Sequence, residues 1–397
     1  MTQNAAGDPL ERPSRVPAAS EPAPSDFNLR RALEEMVRLR ASDLHLKVGR
    51  PPVVRVHGEL IQTQLPPLRT DDLRRAAEQL LSPRQREEFA ERKEIDFAVG
   101  VQGLGRFRVN LFQQRGTLGF AFRAVPFEIP SLDDLLLPPV LEEIAIASRG
   151  LVLVTGVTGS GKSTTLATML RHLNDRRAVN IVTIEDPIEF LHRDVKAMIS
   201  QREVGNDTLS FNEALRHVLR QDPDVVMLGE IRDRISMETV LKAANTGHAV
   251  FSTLHTTDTT QTMTRIMSFF PPHQHGEIRG LLADALRAVV SLRLIPRADG
   301  TGRVPATEVL INTAAVSDRI RSGEGVHTLR DLIAEGRTQY RMQTFDQSLM
   351  DLYRRDLITE EMALHYATSP AEFRLRASGI EASSDMTFEP GSGRGDI

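Results

Sequence analysis

The chain has 397 residues, of which 40% are apolar, and a formal net charge of -4. This length and apolar content allow two to three domains with real cores, and the charge balance does not indicate a nucleic-acid partner. The sequence contains no cysteine. Disulfides, thiolate zinc sites and cysteine nucleophiles are therefore excluded.

The beginning of the chain is rich in proline, alanine and serine and contains no apolar run. Such a composition cannot bury enough apolar surface to offset its chain entropy, so we expect a disordered tail over 1–26 rather than a signal peptide. No apolar run in the sequence is long enough to cross a bilayer. These features predict a cytoplasmic protein without direct membrane insertion.

The next hundred residues show both helical and strand-like spacing of apolar side chains. The predicted helices are Leu29–Leu39, Asp71–Leu81 and Pro83–Ala90, and the predicted strands are Val53–Leu60 and Phe107–Phe112. This mixture predicts a small α/β domain over 27–128. The segment 129–140, which is punctuated by prolines, is predicted to be a linker.

Beyond the linker, continuous apolar strands alternate with helical patterns. The four predicted strands are Leu151–Thr155, Ile181–Glu185, Val225–Gly229 and Val250–Leu254. Strands of this kind indicate a parallel sheet that is covered on both faces. After Arg279 the sequence predicts a mainly helical part with one strand at Ala306–Ile311. We therefore expect an α/β domain over 141–380 and a polar, disordered tail over 381–397.

A phosphate-binding motif lies between the first of these strands and the following helix. It satisfies GxxxxGK[ST] in full and consists of Gly156, Val157, Thr158, Gly159, Ser160, Gly161, Lys162 and Ser163, followed by Thr164. The glycines let backbone N–H groups surround phosphates at a helix N-terminus. We expect Lys162 to reach the β- and γ-phosphates of a nucleoside triphosphate and the Ser163 hydroxyl to hold Mg²⁺.

Acidic side chains follow two other predicted strands. Because ligand sites of parallel sheets gather at the carboxyl ends of the strands, a carboxylate there can activate water or hold Mg²⁺. Glu230, which follows an apolar run and a glycine, is the predicted catalytic base. Glu189 is the predicted second carboxylate, with Glu185 and Asp186 as alternatives. Turn-forming or helix-capping roles remain open for these residues.

Histidine and arginine side chains supply further candidates. His255 follows a strand and is a candidate γ-phosphate sensor, although a structural role is also open. A zinc pair of His248 and His255 is not favoured because no third ligand has a suitable spacing. Arg106, Arg108 and Arg123 belong to a cluster of arginines in the first domain, and a guanidinium can stabilise transition-state charge at a γ-phosphate.

The combination of motifs resembles the secretion and traffic ATPases, and most closely the type IV pilus retraction ATPase (PilT) family. The resemblance extends over about Phe27–Ile380. It is carried by the Walker A loop Gly156–Thr164, an Asp box at Thr183–Phe190, the signature Leu219–Asp233 around the Walker B strand, a His box at His248–Thr256, and the amino-terminal segments Ala41–Leu46 and Gly49–Pro52.

This resemblance implies a PAS-like amino-terminal domain, a linker and a RecA-like ATPase domain, assembled as a hexamer that hydrolyses ATP with Mg²⁺. It implies that Glu230 is the base, that Glu189 assists it and that His255 senses the nucleotide. It also implies that arginines of the amino-terminal domain, mapped to Arg106, Arg108 and Arg123, approach the phosphates when subunits close. The implied partner is the pilus platform protein of the inner membrane, and the implied output is pilus retraction and twitching motility.

One segment departs from the family pattern. Where the retraction family usually has AIRNLIRE, this chain has Ala315–Ser322, with Asp318, Arg319 and Ser322 as the differences. An accessory or paralogous pilus motor is therefore an alternative. An extension or secretion ATPase is disfavoured by the missing cysteines and by the absence of an extra amino-terminal domain. A ring scaffold with little turnover is a third alternative, and a nucleic-acid translocase is the weakest.

Overall fold

The computed structural model describes residues 27–126 and 128–379. The tails predicted over 1–26 and 381–397 lie outside the described residues. The described chain divides into two compact units, with the boundary between Ala124 and Val125. The expected fold class is confirmed, since an α/β unit is followed by a second α/β unit with a mainly parallel sheet and a helical carboxyl-terminal part.

The amino-terminal unit is a six-stranded sheet with three helices. Its strands follow the spatial order β3-β2-β1-β6-β5-β4. Phe107, Val109 and Leu111 alternate with half-buried residues along the fifth strand and point into the core. The elements are α1 (Leu29–Arg38), β1 (Asp43–Lys47), β2 (Val53–Val56), β3 (Glu59–Gln62), α2 (Thr70–Leu80), α3 (Pro83–Arg92), β4 (Glu94–Val101), β5 (Gly105–Gln114) and β6 (Thr117–Val125).

The three helices predicted in this unit are confirmed, but the single strand predicted over Val53–Leu60 is wrong. The chain reverses at His57 and Gly58, which have φ angles of 49° and 88°. Two consecutive residues with positive φ match the tight turn that joins neighbouring antiparallel strands. Alternating hydrophobicity continues through the turn, so the pattern alone does not reveal the reversal.

The second unit contains a seven-stranded sheet with the order β13-β12-β7-β11-β10-β8-β9. Six of these strands are parallel to their neighbours, and β13 runs antiparallel to β12. The four apolar strands predicted from the sequence form its centre. The strands are β7 (Gly150–Thr155), β8 (Asn180–Glu185), β9 (Met198–Glu203), β10 (Val225–Leu228), β11 (Ala249–Leu254), β12 (Leu286–Pro296) and β13 (Arg303–Ile311).

Helices cover both faces of this sheet, as continuous apolar strands require. One face packs against α6, α7, α8 and α9, and the other against α4 and α5. Leu132 and Leu137, which lie in the segment predicted to be a linker, pack into the core beside α4 and α5. The helices are α4 (Val140–Ala145), α5 (Lys162–Asn174), α6 (Phe211–Val218), α7 (Arg234–Asn245), α8 (Thr259–Ser268), α9 (His275–Ala285), α10 (Ala314–Ser322), α11 (Leu329–Glu335), α12 (Arg337–Tyr340), α13 (Phe345–Arg354), α14 (Glu360–Tyr366) and α15 (Pro370–Ala377).

The prediction of a mainly helical chain after Arg279 missed β12, which spans Leu286–Pro296. This strand lies between β7 and β13, and most of its residues are buried on both faces. A strand buried on both faces lacks the alternation that identifies half-buried strands, and periodicity alone does not separate it from a buried helix. Within residues 27–126 and 128–379, no helix is both long and apolar enough to cross a membrane.

The separate cores of the two units lead to a prediction about local stability. Phe122 is fully buried in the core of the amino-terminal unit. We expect Phe122→Ala to lower the free energy of opening of β5 and β6 amides by about 3–5 kcal/mol, measured by hydrogen exchange. Leu60→Ala, at a side chain that is 57% exposed, is the control and should change it by less than about 0.5 kcal/mol. An equal loss of hydrogen-exchange protection in β7 and β11, which belong to the second unit, would show that the two cores do not open independently.

Candidate active site

The phosphate-binding loop joins β7 to α5 and depends on its glycines. Gly156 has a φ of +146°, and a Cβ there would lie 2.7 Å from the carbonyl oxygen of Leu292 and 2.4 Å from Ser160 Oγ. Gly161, the residue before α5, has a φ of +95°. A side chain at either position would strain the backbone or collide with it. The loop can therefore turn tightly and leave its N–H groups accessible.

Among the described residues, the N-terminus of α5 lacks the side-chain cap that α6, α7 and α8 have. Ser210, Asp233 and Asp258 accept hydrogen bonds from the first turns of α6, α7 and α8. Within the described part of the chain, no side chain caps α5 in this way. The first N–H groups of a helix need an acceptor, and the helix dipole favours an anion there. This end of α5 therefore suits a phosphate group.

Lys162 begins α5 and is almost completely buried. Its Nζ donates to the carbonyl oxygens of Gly156 and Val157 at 2.8 and 3.0 Å. Burial lowers the pKa of Lys162, and the carboxylates of Glu230 and Glu189 oppose this shift only in part. The buried Ser160 Oγ has no hydrogen-bond partner among the described residues. An ammonium group on the loop and an unused hydroxyl are consistent with a phosphate ligand.

Glu230 and His255 meet because β10 and β11 are adjacent and parallel. β10 ends at Leu228 and β11 at Leu254, so the residues that follow them lie at the same edge of the sheet. His255 Nε2 lies 2.9 Å from Glu230 Oε2. Thr253 Oγ1 also donates to the carbonyl oxygen of Gly229 at 2.8 Å, which fixes the backbone before the glutamate. Glu230 and His255 form one hydrogen-bonded pair.

The environment of Glu230 keeps its carboxyl group ionised. Burial raises the pKa of Glu230, but hydrogen bonds from His255 and Arg232, together with their charges, outweigh burial and lower the pKa overall. Arg232 bonds the Oε1 atom and His255 faces the Oε2 atom. A carboxylate oxygen has two lone pairs. Each oxygen can therefore accept a further hydrogen bond from water.

Arg232 was not among the candidates selected from the sequence. It contacts Glu230, and its Nη1 lies 3.6 Å from Asp186 Oδ2. It therefore links the ends of β10 and β8 across the site. Arg232 lies two residues after Glu230 within the signature Leu219–Asp233, and this position could have identified it as a candidate from the sequence.

The Asp box places its three carboxylates in different surroundings. Glu189 is exposed and lines the same cleft as Lys162 and Glu230. Glu185 is buried, and its Oε1 accepts hydrogen bonds from Thr183 at 2.7 Å and from Gln201 at 3.0 Å. Burial raises the pKa of Glu185. Glu189 can therefore reach a ligand in the cleft, while Glu185 is held by protein groups.

The cleft has a volume of about 450 Å³. It brings together most of the residues predicted for the site and adds Leu294 from β12 and Arg303 from β13, which no motif indicated. The predicted residues that line it are Thr158, Gly159, Gly161, Lys162, Ser163, Thr164, Glu189, Glu230 and His255. A cleft of this size that combines a phosphate loop, carboxylates and apolar walls can hold a nucleotide.

His248 lies apart from the cleft. It precedes β11, whereas His255 follows that strand, so the whole of Ala249–Leu254 separates them. His248 Nδ1 lies 3.0 Å from the carbonyl oxygen of Ala243. In the described ranges, no group of three His, Cys, Asp or Glu residues has the geometry of a metal site. His248 and His255 therefore lie at opposite ends of β11.

The three candidate arginines belong to the amino-terminal unit. Arg106 and Arg108 are half-buried and share one face of β5. Arg123 on β6 lies opposite Asp43 on β1, and its Nε donates to Asp43 Oδ1 at 2.8 Å. The Arg123 side chain nevertheless remains 69% exposed, so most of the guanidinium is accessible.

The segment that departs from the family pattern forms α10. Val316 and Ile320 are its buried residues, and α10 packs against α9. Asp318, Arg319 and Ser322 are exposed. The three differences therefore change the surface of α10 and leave its buried side unaltered.

Comparisons with known proteins identify the family of this chain. Residues 137–387 match the family model described as Type II/IV secretion system protein. The chain is 42% identical to the Type IV pilus ATPase PilU of Pseudomonas aeruginosa, over 89% of this chain and 92% of that protein. It is 43% identical to the Type IV pilus retractation ATPase PilT of the same organism, over 84% of this chain and 96% of that protein.

Solved structures show the same likeness. A crystal structure of the pilus retraction motor PilT with bound ADP matches with a TM-score of 0.78 and 42% identity, covering 87% of this chain and 99% of that one. The ATPase DotB of Legionella pneumophila matches with a TM-score of 0.73 and 26% identity, covering 91% and 99%. With a family model that matches more than half of its length, the chain belongs to the Type II/IV secretion system protein family.

Proposed function

We propose that this chain is the subunit of a hexameric ATPase motor that powers type IV pilus retraction, and thereby twitching motility. The observation that carries the proposal is the cleft in which Lys162 of the phosphate loop faces the paired Glu230 and His255. The likeness to two pilus ATPases over most of this chain supports the pilus as the object of the motor.

The chain is an ATP hydrolase, and the site suggests how hydrolysis proceeds. Water attacks the γ-phosphorus, its proton passes to Glu230, and the bond to the β–γ bridging oxygen breaks to release ADP. The lowered pKa leaves Glu230 ionised before the reaction, with an oxygen lone pair open to this proton. His255 orients the carboxylate at 2.9 Å and can report whether the γ-phosphate is present.

The charge of the phosphates requires further cations. Ser163, in the first turn of α5, is proposed to hold Mg²⁺ through its hydroxyl. A Mg²⁺ ion held there would supply positive charge that stabilises the phosphates during hydrolysis. Arg106, Arg108 and Arg123 are proposed to approach the phosphates when subunits close, since guanidinium groups stabilise this transition state.

The partners follow from the same proposal. The subunits form a homo-hexamer that works at the inner face of the cytoplasmic membrane and docks on the pilus platform protein. PilU and PilT, which the chain resembles, are named as type IV pilus ATPases. No nucleic-acid partner is proposed, because the net charge is -4 and no basic stripe was identified in the sequence.

An accessory or paralogous pilus motor is the second candidate. The chain is as similar to PilU, at 42% identity, as it is to PilT, at 43%. The exposed differences at Asp318, Arg319 and Ser322 alter a surface without altering the site. An accessory motor also hydrolyses ATP, but it acts on a different partner. An extension or secretion ATPase and a scaffold with little turnover are less favoured, but the experiments below distinguish them.

The role of the phosphate loop can be tested at Lys162. We expect Lys162→Ala to reduce ATP hydrolysis by at least about 100-fold, because a preorganised cation at the phosphates is lost. Steady-state phosphate release by the purified full-length protein measures this. Lys242→Ala is the control, because Lys242 is exposed on α7 and pairs with Glu238. Undiminished hydrolysis by Lys162→Ala would refute the site.

The second prediction separates binding from chemistry. Glu230→Gln keeps the size of the side chain but removes the base, so turnover should fall by about 100-fold or more. The affinity for ATP, measured by equilibrium binding, should change little because the phosphate loop is intact. Glu238→Gln, on the exposed face of α7, is the matched control. Wild-type turnover in Glu230→Gln would exclude this residue as the base.

The third prediction concerns the direction of the motor. Deletion of the gene in the source organism, followed by imaging of pili, should give many pili that do not retract. Cells without pili would contradict retraction and indicate an extension motor. Normal pilus dynamics would replace the proposal with an accessory role. Complementation with Lys162→Ala should fail, whereas complementation with Lys242→Ala should succeed.

A further inference from the structure

The residues that carry Glu189 have little regular structure of their own. Between the end of β8 at Glu185 and the start of β9 at Met198, the chain forms neither helix nor strand. Glu189 is exposed in this loop, and its carboxylate faces a cleft that also contains the carboxylates of Glu185 and Glu230. Without ladder hydrogen bonds, the backbone around Glu189 depends on side chains that bond it, and Glu185 itself accepts one such bond from the Glu189 backbone.

Two side chains of the neighbouring strand reach this loop. β9 runs parallel to β8, with Gln201 opposite Thr183 and Glu203 opposite Glu185. Partners in register on parallel strands point to the same face of the sheet. The side chains of Gln201 and Glu203 therefore point to the same face of the sheet as those of Thr183 and Glu185. Glu185 is the last residue of β8, so the loop begins directly after it.

Gln201 uses both ends of its amide group in this position. Its Nε2 donates to Glu185 Oε1 at 3.0 Å and to the carbonyl oxygen of Phe190 at 2.9 Å. Its Oε1 accepts the backbone N–H of His192 at 2.9 Å. An amide side chain offers two donors and one carbonyl acceptor, so one residue ties the last residue of β8 to two points in the loop.

Glu203 holds the loop on the other side of Glu189. It is only 3% exposed, and its Oε2 accepts the backbone N–H of Ile188 at 3.1 Å. Its other oxygen accepts a hydrogen bond from Asn206. Ile188 and Phe190 are the two residues that flank Glu189, so the backbone on each side of the candidate carboxylate is bonded to a β9 side chain.

We propose that Gln201 and Glu203 are positioning residues that fix Glu189 relative to Lys162 and the γ-phosphate during hydrolysis. The inference rests on the proposed function and extends it to the strand at the edge of the sheet. Neither side chain needs to touch the nucleotide. Their effect on the reaction comes through the two backbone segments that they hold, and a displacement of about 1 Å at a reacting group can cost about 100-fold in rate.

The test begins with Gln201→Met, which keeps the length of the side chain and removes its three hydrogen bonds. The kcat of the full-length ATPase should fall by about 10- to 100-fold, while KM for ATP should change by less than about threefold because the phosphate loop is intact. Glu203→Gln, which keeps an acceptor oxygen for Ile188, should retain most of the activity, and Glu203→Ala should not.

A matched control is available in the same unit. Gln343 is also half-buried, and its Nε2 donates to Thr307 across two chain segments. Gln343→Met removes a comparable bridging amide without touching the loop, and it should leave kcat within about twofold of the wild type. Hydrogen exchange should show faster exchange of the His192 amide in Gln201→Met but not in Gln343→Met, and faster exchange of the Ile188 amide in Glu203→Ala.

A double-mutant cycle decides between positioning and general stability. In a Glu189→Ala background, Gln201→Met should lower kcat by less than about twofold, because the group that it positions is gone. An equal loss of kcat with and without Glu189, or a wild-type kcat in Gln201→Met, would overturn the inference. A wild-type protein with no ATP hydrolysis would instead refute the proposed function, so the two failures are distinguishable.

Discussion

The parallel hydrogen bonding of β7, β11, β10 and β8 is the constraint on which the site depends. Parallel strands in register end at the same edge of a sheet, so the groups that follow them are brought together from distant parts of the chain. Here that edge receives the phosphate loop after β7, His255 after β11, Glu230 after β10 and the Glu189 loop after β8. Helices on both faces hold these strands in a buried sheet, which makes the edge a rigid platform.

The charges at this edge depend on one another. Lys162 is buried, and the nearby Glu230 and Glu189 support its protonated form. Glu230 is in turn kept ionised by His255 and Arg232, and Arg232 also lies near Asp186. Opposite charges at short range favour each other's charged form. The cleft therefore contains cations suited to phosphate and an ionised carboxylate suited to proton transfer.

The outer parts of the second unit support the site in different ways. On one side, β9 contributes Gln201 and Glu203, whose side chains reach the loop around Glu189. On the other side, β12 and β13 close the cleft with Leu294 and Arg303. By contrast, α10 presents its unusual residues Asp318, Arg319 and Ser322 to solvent. The residues of the site and the exposed surface of α10 can thus vary separately.

The local features could be predicted from the sequence alone: the phosphate loop, the central apolar strands, and Glu230 and Glu189 as carboxylates that follow strands. Each depends on neighbours in the chain, whether glycines at fixed spacing or a continuous apolar run. Three other features became visible only in the folded chain: β12 is a strand, Arg232 contacts Glu230, and Glu185 is buried while Glu189 is exposed. Those facts depend on strand order and burial, and residues far apart in the chain determine both.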